Sequence, residues 1–541
     1  MMRREDWDSY TVLTPGDMRR LEDKAFALGV PGILLMEHAA MAVVDELEKA
    51  LGGGCRDKSV LFLCGTGNNG GDGLAAARLF LMRGGLPTVW LYGEPKTKDA
   101  KTNLKWLDAL DVPILNLGLL AEDKLPILDG GPKRHYDAYV DALLGTGFRG
   151  KPEGLLARMM LVPCHDFFFS PPFPPVIAID IPSGIDGKTG DTPGEFVRAD
   201  VTVTLSSPKP GLYLTKEREA VGKIVVADIG LWDLMPANSG ALGLDDPELN
   251  CETLTPAALQ RLAQRPVNAH KGDCGRVLIY AGSLGMAGAA AMCAKAAVTA
   301  GAGLTTIACP KEIIPVLQTL VPNAMCANIE EAAQNPPPYD VLAVGCGLGQ
   351  SEEVWENIRQ LYDPEKPAVW DADALNMLAK HPMKLGEKTV ITPHIGEAAR
   401  LLGADAEVIL KDRLAAARKL TEKYGCVTVL KSDVSVICAD IRQGQTCYLN
   451  AVGSPALAKG GSGDALTGIL AAVMAGWKPI INPYQTGLAA ALSCLWHGMA
   501  GLTGEEIYGQ RELTTEELIA CLHDAERWGL GQRPAPACWR G

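Results

Sequence analysis

The sequence has no run of lysines and arginines, no Cys-x-x-Cys pair and no zinc-ligand spacing, and each absence removes a class of function. With a net charge of −13 and a pI near 5.2, there is no basic face for nucleic acid, so an anionic ligand must be met by local amides or by a cation. The fifteen cysteines are scattered through apolar segments, Cys64, Cys293, Cys309, Cys438 and Cys494 among them, and read as small buried hydrophobes. No apolar segment follows the charged start Met1-Met2-Arg3-Arg4-Glu5-Asp6-Trp7-Asp8, so no secretory signal is read and a cytoplasmic protein is expected. The apolar stretch at 465–477 is too short for a membrane span and directly follows a glycine loop. It reads as a buried helix, and no membrane partner is expected.

What the chain does have is glycine, concentrated in two unlike loops. One is Gly65-Thr66-Gly67-Asn68-Asn69-Gly70-Gly71-Asp72-Gly73, the other Gly460-Gly461-Ser462-Gly463-Asp464. Each follows an apolar run, opens a helical pattern and carries an aspartate. Glycine permits positive φ and close approach of a ligand, while amides at the following helix N-terminus attract anions. Two phosphate-bearing ligands and two active sites follow. The length of 541 residues also exceeds one ordinary core, and 47% hydrophobic with 21% charged residues is a globular composition.

Strand-like and helix-like segments alternate. Residues 10–50 read as helical from Thr14-Pro15-Gly16-Asp17, with strands expected at 59–64, 88–92, 138–143, 176–179 and 201–205. The proline-rich stretch Phe167 to Pro175 reads as a loop insertion, because its prolines lack amide donors. Pro, Gly, Asn and Asp crowd together without periodicity after Leu234, which places a linker at 236–250 between domains at 1–235 and 251–541. In the second half, strands are expected at 277–281, 304–308, 341–344, 368–370, 389–391 and 427–430, with 434–438 and 446–449 forming a hairpin at a sheet edge. Alternation of this kind implies α/β architecture in both halves, two three-layer αβα domains built on mostly parallel sheets.

Open parallel sheets bind ligands outside the carboxyl ends of their strands. In the first half three polar clusters fall there: Asn68-Asn69-Gly70-Gly71-Asp72, Asp141 with Gly145-Thr146-Gly147, and Asp180-Ile181-Pro182-Ser183-Gly184. Each alone reads more readily as a turn; three at successive strand ends lower that reading sharply. Oxygens of Asn69, Asp141 and Ser183 could hold a hard monovalent cation, which leaves Asp180 for proton transfer. These strings, with Val140-Asp141-Ala142-Leu143-Leu144 and Ser207-Pro208-Lys209-Pro210-Gly211-Leu212, resemble the NAD(P)H-hydrate epimerase family over residues 10–235. The resemblance implies a Rossmann-like domain that interconverts the R and S epimers of NADHX and NADPHX. It further implies substrate contacts from Asn68, Asn69, Gly70, Gly71, Asp72, Gly145, Thr146, Gly147, Phe148, Arg149, Gly150, Lys151 and Asp180, with potassium at Asn69, Asp141 and Ser183.

In the second half, Asp464 beside the glycine-loop amides suits a general base next to an anion hole, as phosphoryl transfer to a hydroxyl requires; a helix N-cap is the plainer alternative. His270-Lys271-Gly272-Asp273, Gly345-Cys346-Gly347-Leu348-Gly349, Asp371-Ala372-Asp373 and Thr392-Pro393-His394-Ile395-Gly396-Glu397 accompany it. Taken singly, His394 reads as a helix cap, and Asp371 and Asp373 as a solvated turn. Together the strings resemble the ADP- or ATP-dependent NAD(P)H-hydrate dehydratase family, of ribokinase-like fold, over residues 251–530. That resemblance implies NAD(P)HX contacts from Ala289, Gly347, His394 and Asp464, nucleotide contacts from Lys431, Ser432, Asp433, Val434, Ser435 and Gly463, magnesium in the dehydratase step, and a homo-oligomer. A stable kinase of small molecules and a binding module without catalysis are the two alternatives.

Overall fold

The computed structural model describes residues 8–120, 135–163, 173–231, 249–262, 265, 267–441, 444–477 and 482–539. The described chain opens on a short strand, β1 (Ser9–Thr11), that joins the second of two sheets. The first compact unit, Thr11–Leu249, carries α1 (Pro15–Ala27), α2 (Gly32–Ala50), β2 (Ser59–Cys64), α3 (Asn68–Met82), β3 (Leu86–Leu91), α4 (Lys98–Ala109) and β4 (Ile114–Asn116). Then come β5 (Ala138–Ala142), α5 (Gly154–Met160), β6 (Val176–Ile179), β7 (Val201–Leu205), α6 (Pro210–Leu214) and β8 (Lys223–Ala227). Its strands run parallel in the order β4-β3-β2-β5-β6-β7-β8.

Local chemistry accounts for most element starts. Thr14 and Asp17 form a capping box, with Pro15 at the first helical position, so α1 begins where Thr14-Pro15 signals it. The expected single helical stretch to residue 50 is instead two helices, broken at Gly29 (φ 90°) and Pro31. The larger departure is α3, which begins at Asn68, so most of the expected glycine loop is the helix's first turn. These glycines serve close approach rather than positive φ: a Cβ on Gly70 would lie 2.0 Å from the Gly65 carbonyl oxygen, and one on Gly73 2.5 Å from Ala142 Cβ.

The second unit comprises Asn250–Trp539, and the chain up to Tyr10 belongs with it. Its elements are β9 (Cys251–Leu254), β10 (Arg276–Tyr280), α7 (Ala287–Thr299), β11 (Leu304–Cys309), α8 (Ile314–Leu320), β12 (Met325–Asn328), α9 (Ile329–Gln334), β13 (Val341–Val344) and α10 (Glu352–Leu361). They continue with β14 (Ala368–Trp370), α11 (Ala372–Lys380), β15 (Thr389–Ile391), α12 (Ile395–Leu402), α13 (Ala406–Lys411), α14 (Arg413–Tyr424), β16 (Val427–Leu430), β17 (Ser435–Ile441) and β18 (Gly444–Asn450). The last four are α15 (Ser462–Gly476), α16 (Pro483–Tyr508), α17 (Thr515–Ala520) and α18 (Leu522–Gly529). The sheet order is β1-β9-β18-β17-β16-β15-β14-β13-β10-β11-β12, antiparallel at β16–β17 and β17–β18.

The expected hairpin is therefore correct as a pair but not at an edge, because β9 and β1 extend the sheet beyond β18. Residues 8–10, expected with the first domain, are held by the second unit: the Asp8 carbonyl accepts from Thr255 N at 3.0 Å, and its carboxylate meets Arg261 at 2.6 Å. The short strands β1, β4, β8, β9 and β12 were outside the expected set. Phe167 to Pro172 lies outside the described residues, as does the linker up to 248. No helix among the described residues is long and apolar enough to cross a membrane.

Both sheets are covered on two faces. In the first unit Val60, Phe62, Val140 and Ile177 pack with α2, α3 and α4, while Leu61, Leu63 and Tyr139 face Met159 and Met160 of α5. In the second, Val277, Ile279, Val341 and Ala343 pack with α7, α15 and α16, while Trp355 of α10 meets Trp370 of β14 edge-on at 6.2 Å. The alanine-rich sequence of α7 follows from its close contact with α15, where a Cβ on Gly468 would lie 2.1 Å from the Cys293 carbonyl oxygen. In an open helix Gly→Ala stabilises by about 1 kcal/mol. Gly468→Ala should instead cost about 1–3 kcal/mol, the range for overpacking, read as a lower guanidinium midpoint by circular dichroism.

Candidate active sites

In the first sheet the strand order reverses between β2 and β5, which opens a crevice at their carboxyl ends. Asn69 arrives on the first turn of α3, Asp141 on the end of β5, and Ser183 on the turn after β6, so the three residues expected around a cation are brought together. Ser183 Oγ donates to Asp141 Oδ1 at 2.6 Å, and its backbone N to Oδ2 at 2.8 Å. The Asn69 amide nitrogen donates to the Leu144 carbonyl at 2.8 Å, while Leu144 N donates to Ser183 Oγ at 2.9 Å. Burial pushes the Asp141 carboxyl up to about 6 against the hydrogen bonds from Ser183 and Leu143. Asn69 Oδ1 is buried with no hydrogen-bond partner. A buried carboxylate and an orphaned amide oxygen form an acceptor-rich set, which suits a hard monovalent cation.

Beside this set lies Asp180, which ends β6 with φ 68°, a left-handed conformation tolerated by few residues other than glycine and asparagine or aspartate. The same Oδ1 accepts from Leu205 N at 3.1 Å, from Thr204 Oγ1 at 3.4 Å and from the ammonium of Lys209. Lys209 is only 1% exposed and also donates to the Leu205 carbonyl at 2.9 Å. Two further acids share this field. Burial, then Asp180, raises the Asp72 carboxyl well above its ordinary range. Burial and Asp180 likewise push Glu22 up to about 7, with Lys209 opposing. Two raised carboxyls beside the Asp180–Lys209 pair could act as proton donors to a group bound there.

The remaining residues expected at this site form its rim. Asn68 is exposed, as are Gly147, Arg149, Gly150 and Lys151, while Gly145, Thr146 and Phe148 are half-buried. Arg149 donates to the carbonyls of Thr146 at 3.1 Å and Phe148 at 2.8 Å, which keeps this loop folded on itself. Gly70 and Gly71 are buried in α3.

The second sheet reverses between β10 and β13, and Gly282 N donates across that point to the Cys346 carbonyl at 2.8 Å. Asp371, at the end of β14, is buried rather than solvated. Lys431 Nζ donates to its Oδ1 at 2.7 Å and Thr467 Oγ1 to its Oδ2 at 2.9 Å. Burial opposes the charge on Lys431, yet Asp371 and Glu397 raise its pKa. Asp464 lies on the first turn of α15, where burial pushes its carboxyl up to about 6 while a hydrogen bond from Cys346 opposes the rise. Gly463 faces the same pair: a Cβ there would lie 3.4 Å from Lys431 Nζ and 3.7 Å from Asp371 Oδ2. Asp464, Gly463, Lys431 and Asp371 thus converge.

His394 caps α12, its Nδ1 accepting from Gly396 N at 3.0 Å and Glu397 N at 3.4 Å, so the plainer reading of this histidine holds. The cap assigns the proton to Nε2, which lies 3.5 Å from Glu397 Oε1 in a side chain that is otherwise exposed. Ala289 and Gly347 are neighbours, since a Cβ on Gly347 would lie 2.9 Å from Ala289 Cβ. Past Lys431, Ser432 accepts from Arg413 at 3.0 Å, Asp433 pairs with the same guanidinium, Val434 is buried and Ser435 starts β17.

Residues 33–211 match the family described as YjeF-related protein N-terminus, and residues 277–523 match the family described as NAD(P)H-hydrate dehydratase. The bifunctional NAD(P)H-hydrate repair enzyme of Moorella thermoacetica is 36% identical over 535 residues, covering 95% of each chain. The chain belongs to the bifunctional NAD(P)H-hydrate repair enzymes. The Escherichia coli member is 34% identical over 95% of this chain and 93% of its own. A solved ADP/ATP-dependent NAD(P)H-hydrate dehydratase from Bacillus subtilis, co-crystallized with ATP and Mg2+, is 30% identical over 51% of this chain and 97% of that one, with a TM-score of 0.45.

Within this repair enzyme, Thr204, Glu22 and Thr467 had no sequence signal of their own, whereas Lys209, Asp371 and Cys346 lay in the matching strings without an assigned catalytic role. Lys209, Thr204 and Glu22 reach Asp180 from three separate elements, and Asp371, Thr467 and Cys346 reach the Asp464 region from three others. His497, in the apolar run of α16, contacts the Ser462 carbonyl at 3.1 Å and Ser462 Oγ at 3.2 Å, which braces the second glycine loop. Its pKa is lowered to about 4 by burial, so the brace is a neutral ring. Removing one partner of a buried ion pair strands the other charge. Lys209→Met should therefore destabilise the first unit by about 3 kcal/mol, and Asp180→Asn in the same chain should recover much of the loss, as urea denaturation would measure.

Proposed function

We propose that the two sites act in sequence on one damaged cofactor. At the β2–β5 crevice the first unit equilibrates the R and S epimers of NADHX and NADPHX, with Asp180 exchanging protons near the hydroxylated carbon of the reduced nicotinamide ring. The Asn68–Asp72 helix start and the 145–151 loop would hold the dinucleotide phosphates. A potassium ion fits Asn69, Asp141 and Ser183, where it would neutralise the buried carboxylate and satisfy the orphaned amide oxygen. The single observation that carries this reading is the buried Asp180–Lys209 pair beside that set.

In the second unit the amides at the start of α15 and the ammonium of Lys431 would receive the phosphates of ADP or ATP, while Asp464 takes the proton of the ring hydroxyl as it is phosphorylated. Elimination of phosphate then restores NADH or NADPH from the S epimer. Because Lys431 already neutralises Asp371, magnesium would arrive on the nucleotide with its waters. Ala289, Gly347 and the outer edge of His394 would line the nicotinamide side. Ser432, Asp433, Val434 and Ser435 would border the nucleotide, with Asp433 kept from repelling it by Arg413.

Mixed R and S NADHX incubated with the protein and ADP or ATP should convert fully to NADH, read at the reduced-nicotinamide band. Asp180→Asn should leave a fast phase that stops near the S fraction; uninterrupted conversion would remove Asp180 from the epimerase step. Asp464→Asn should abolish NADH formation from purified S epimer. Since Asp464 works as a base only when ionised, dehydratase kcat/KM should fall about tenfold per pH unit below about pH 6 and be flat just above it. Exchanging potassium for lithium should slow epimerisation and leave dehydration of the S epimer unchanged.

A further inference from the structure

Cys346 is held in a seat that gives its side chain one direction. It follows β13 between Gly345 (φ 131°) and Gly347 (φ 65°). A Cβ on Gly345 would lie 1.8 Å from the Asp371 carbonyl oxygen, so the backbone on that side cannot shift outward. The Cys346 carbonyl is fixed by Gly282 N, and the residue is 1% exposed. Its Sγ, one carboxylate oxygen of Asp371 and one of Asp464 all lie within 4.8 Å of one another. Asp371 is already committed, Oδ1 to Lys431 and Oδ2 to Thr467. The carboxylate left within reach of the thiol proton is Asp464, with the Cys293 sulfur of α7 the other group the thiol meets.

We propose that Cys346 is a positioning residue of the dehydratase reaction, its thiol donating to the Asp464 carboxylate and aiming that base at the substrate hydroxyl. The inference rests on the reading of Asp464 as the general base. The groups facing Asp464 are Cys346 from the end of β13, Asp371 from the end of β14, Asp373 from α11 and Lys431 from the turn after β16. The two aspartates disfavour ionisation of Asp464; only the thiol and the ammonium favour it. A hydrogen bond with Cys293 of α7, then burial and the two nearby aspartates, all raise the Cys346 thiol's own pKa well above its usual range, so it stays protonated throughout the working pH range. A sulfur at this position thereby adjusts the pH at which the second site switches on, although it need not touch the phosphate.

The test is the pH profile of kcat/KM for S-NADHX, at saturating nucleotide so that nucleotide titration is common to all variants, in the full chain carrying Cys346→Ala, Cys346→Ser or Asp464→Asn. Cys346→Ala should move the acid limb up by about half a unit to one unit, the size of one lost hydrogen bond to a carboxylate. Cys346→Ser, which keeps a donor, should return the limb most of the way. Epimerisation should be unchanged in both. If Cys346→Ala is too unstable to assay, Cys346→Val, closer in volume, should show the same displaced limb. An acid limb that stays in place in the alanine or valine variant overturns the proposal. If Asp464→Asn keeps its activity, the general-base reading fails and the assignment of Cys346 falls with it. An inactive Asp464→Asn with an unmoved limb refutes the role of Cys346 alone.

Discussion

Both sites depend on a lysine ammonium held against a buried aspartate at the carboxyl edge of a parallel sheet, Lys209 on Asp180 and Lys431 on Asp371. A lone charge in either place would be too costly to bury, so each pair exists only because the fold brings both members there and supplies further hydrogen bonds. Thr204 and the Leu205 backbone complete the first pair, and Thr467 completes the second. The remaining acids at each site then titrate in the field of these pairs. Glu22 and Asp72 are pushed up in the first unit, and Asp464 and Glu397 in the second.

The pairs serve different ends. At the first site Lys209 is tied to the residue assigned to proton exchange, so its charge governs that residue's orientation. At the second site Lys431 is tied to Asp371, one residue removed from the assigned base, and is left partly accessible for phosphate. This division fits the two proposed reactions. Epimerisation needs a proton to leave and return at one carbon, whereas phosphoryl transfer needs a base on the hydroxyl and a cation on the phosphate, kept apart from each other.

The parallel sheets and the polar clusters at their strand ends were legible in advance, because buried strands read as short β-branched runs and polar residues gather at their ends, whereas the strand order that sets the switch points was not. The loop character assigned to the first glycine string was not correct. Gly70, Gly71 and Gly73 lie inside α3, where Gly70 and Gly73 make room for the Gly65 carbonyl and for Ala142, and composition does not distinguish a glycine that turns the chain from one that lets a neighbour approach. Asp371 was equally opaque. An aspartate after a strand looks like a solvated turn until Lys431, 60 residues further along the chain, is placed against it. The hairpin of β17 and β18 was visible, but its place inside the sheet rests on β9 and β1, too short and too polar to announce themselves.

The sequence by itself determined the two α/β units, the strands that carry the sites and the motifs that place the chain among the repair enzymes, since these rest on local periodicity and contiguous strings. Tertiary structure decided which side chains share a site and which protons they hold. Burial and the distance between charges set those properties, and both arise from residues far apart in the chain: Glu22 with Asp180, Cys346 with Asp464, His497 with Ser462. A carboxyl's proton affinity depends on what surrounds it in space, and no local run of residues encodes that.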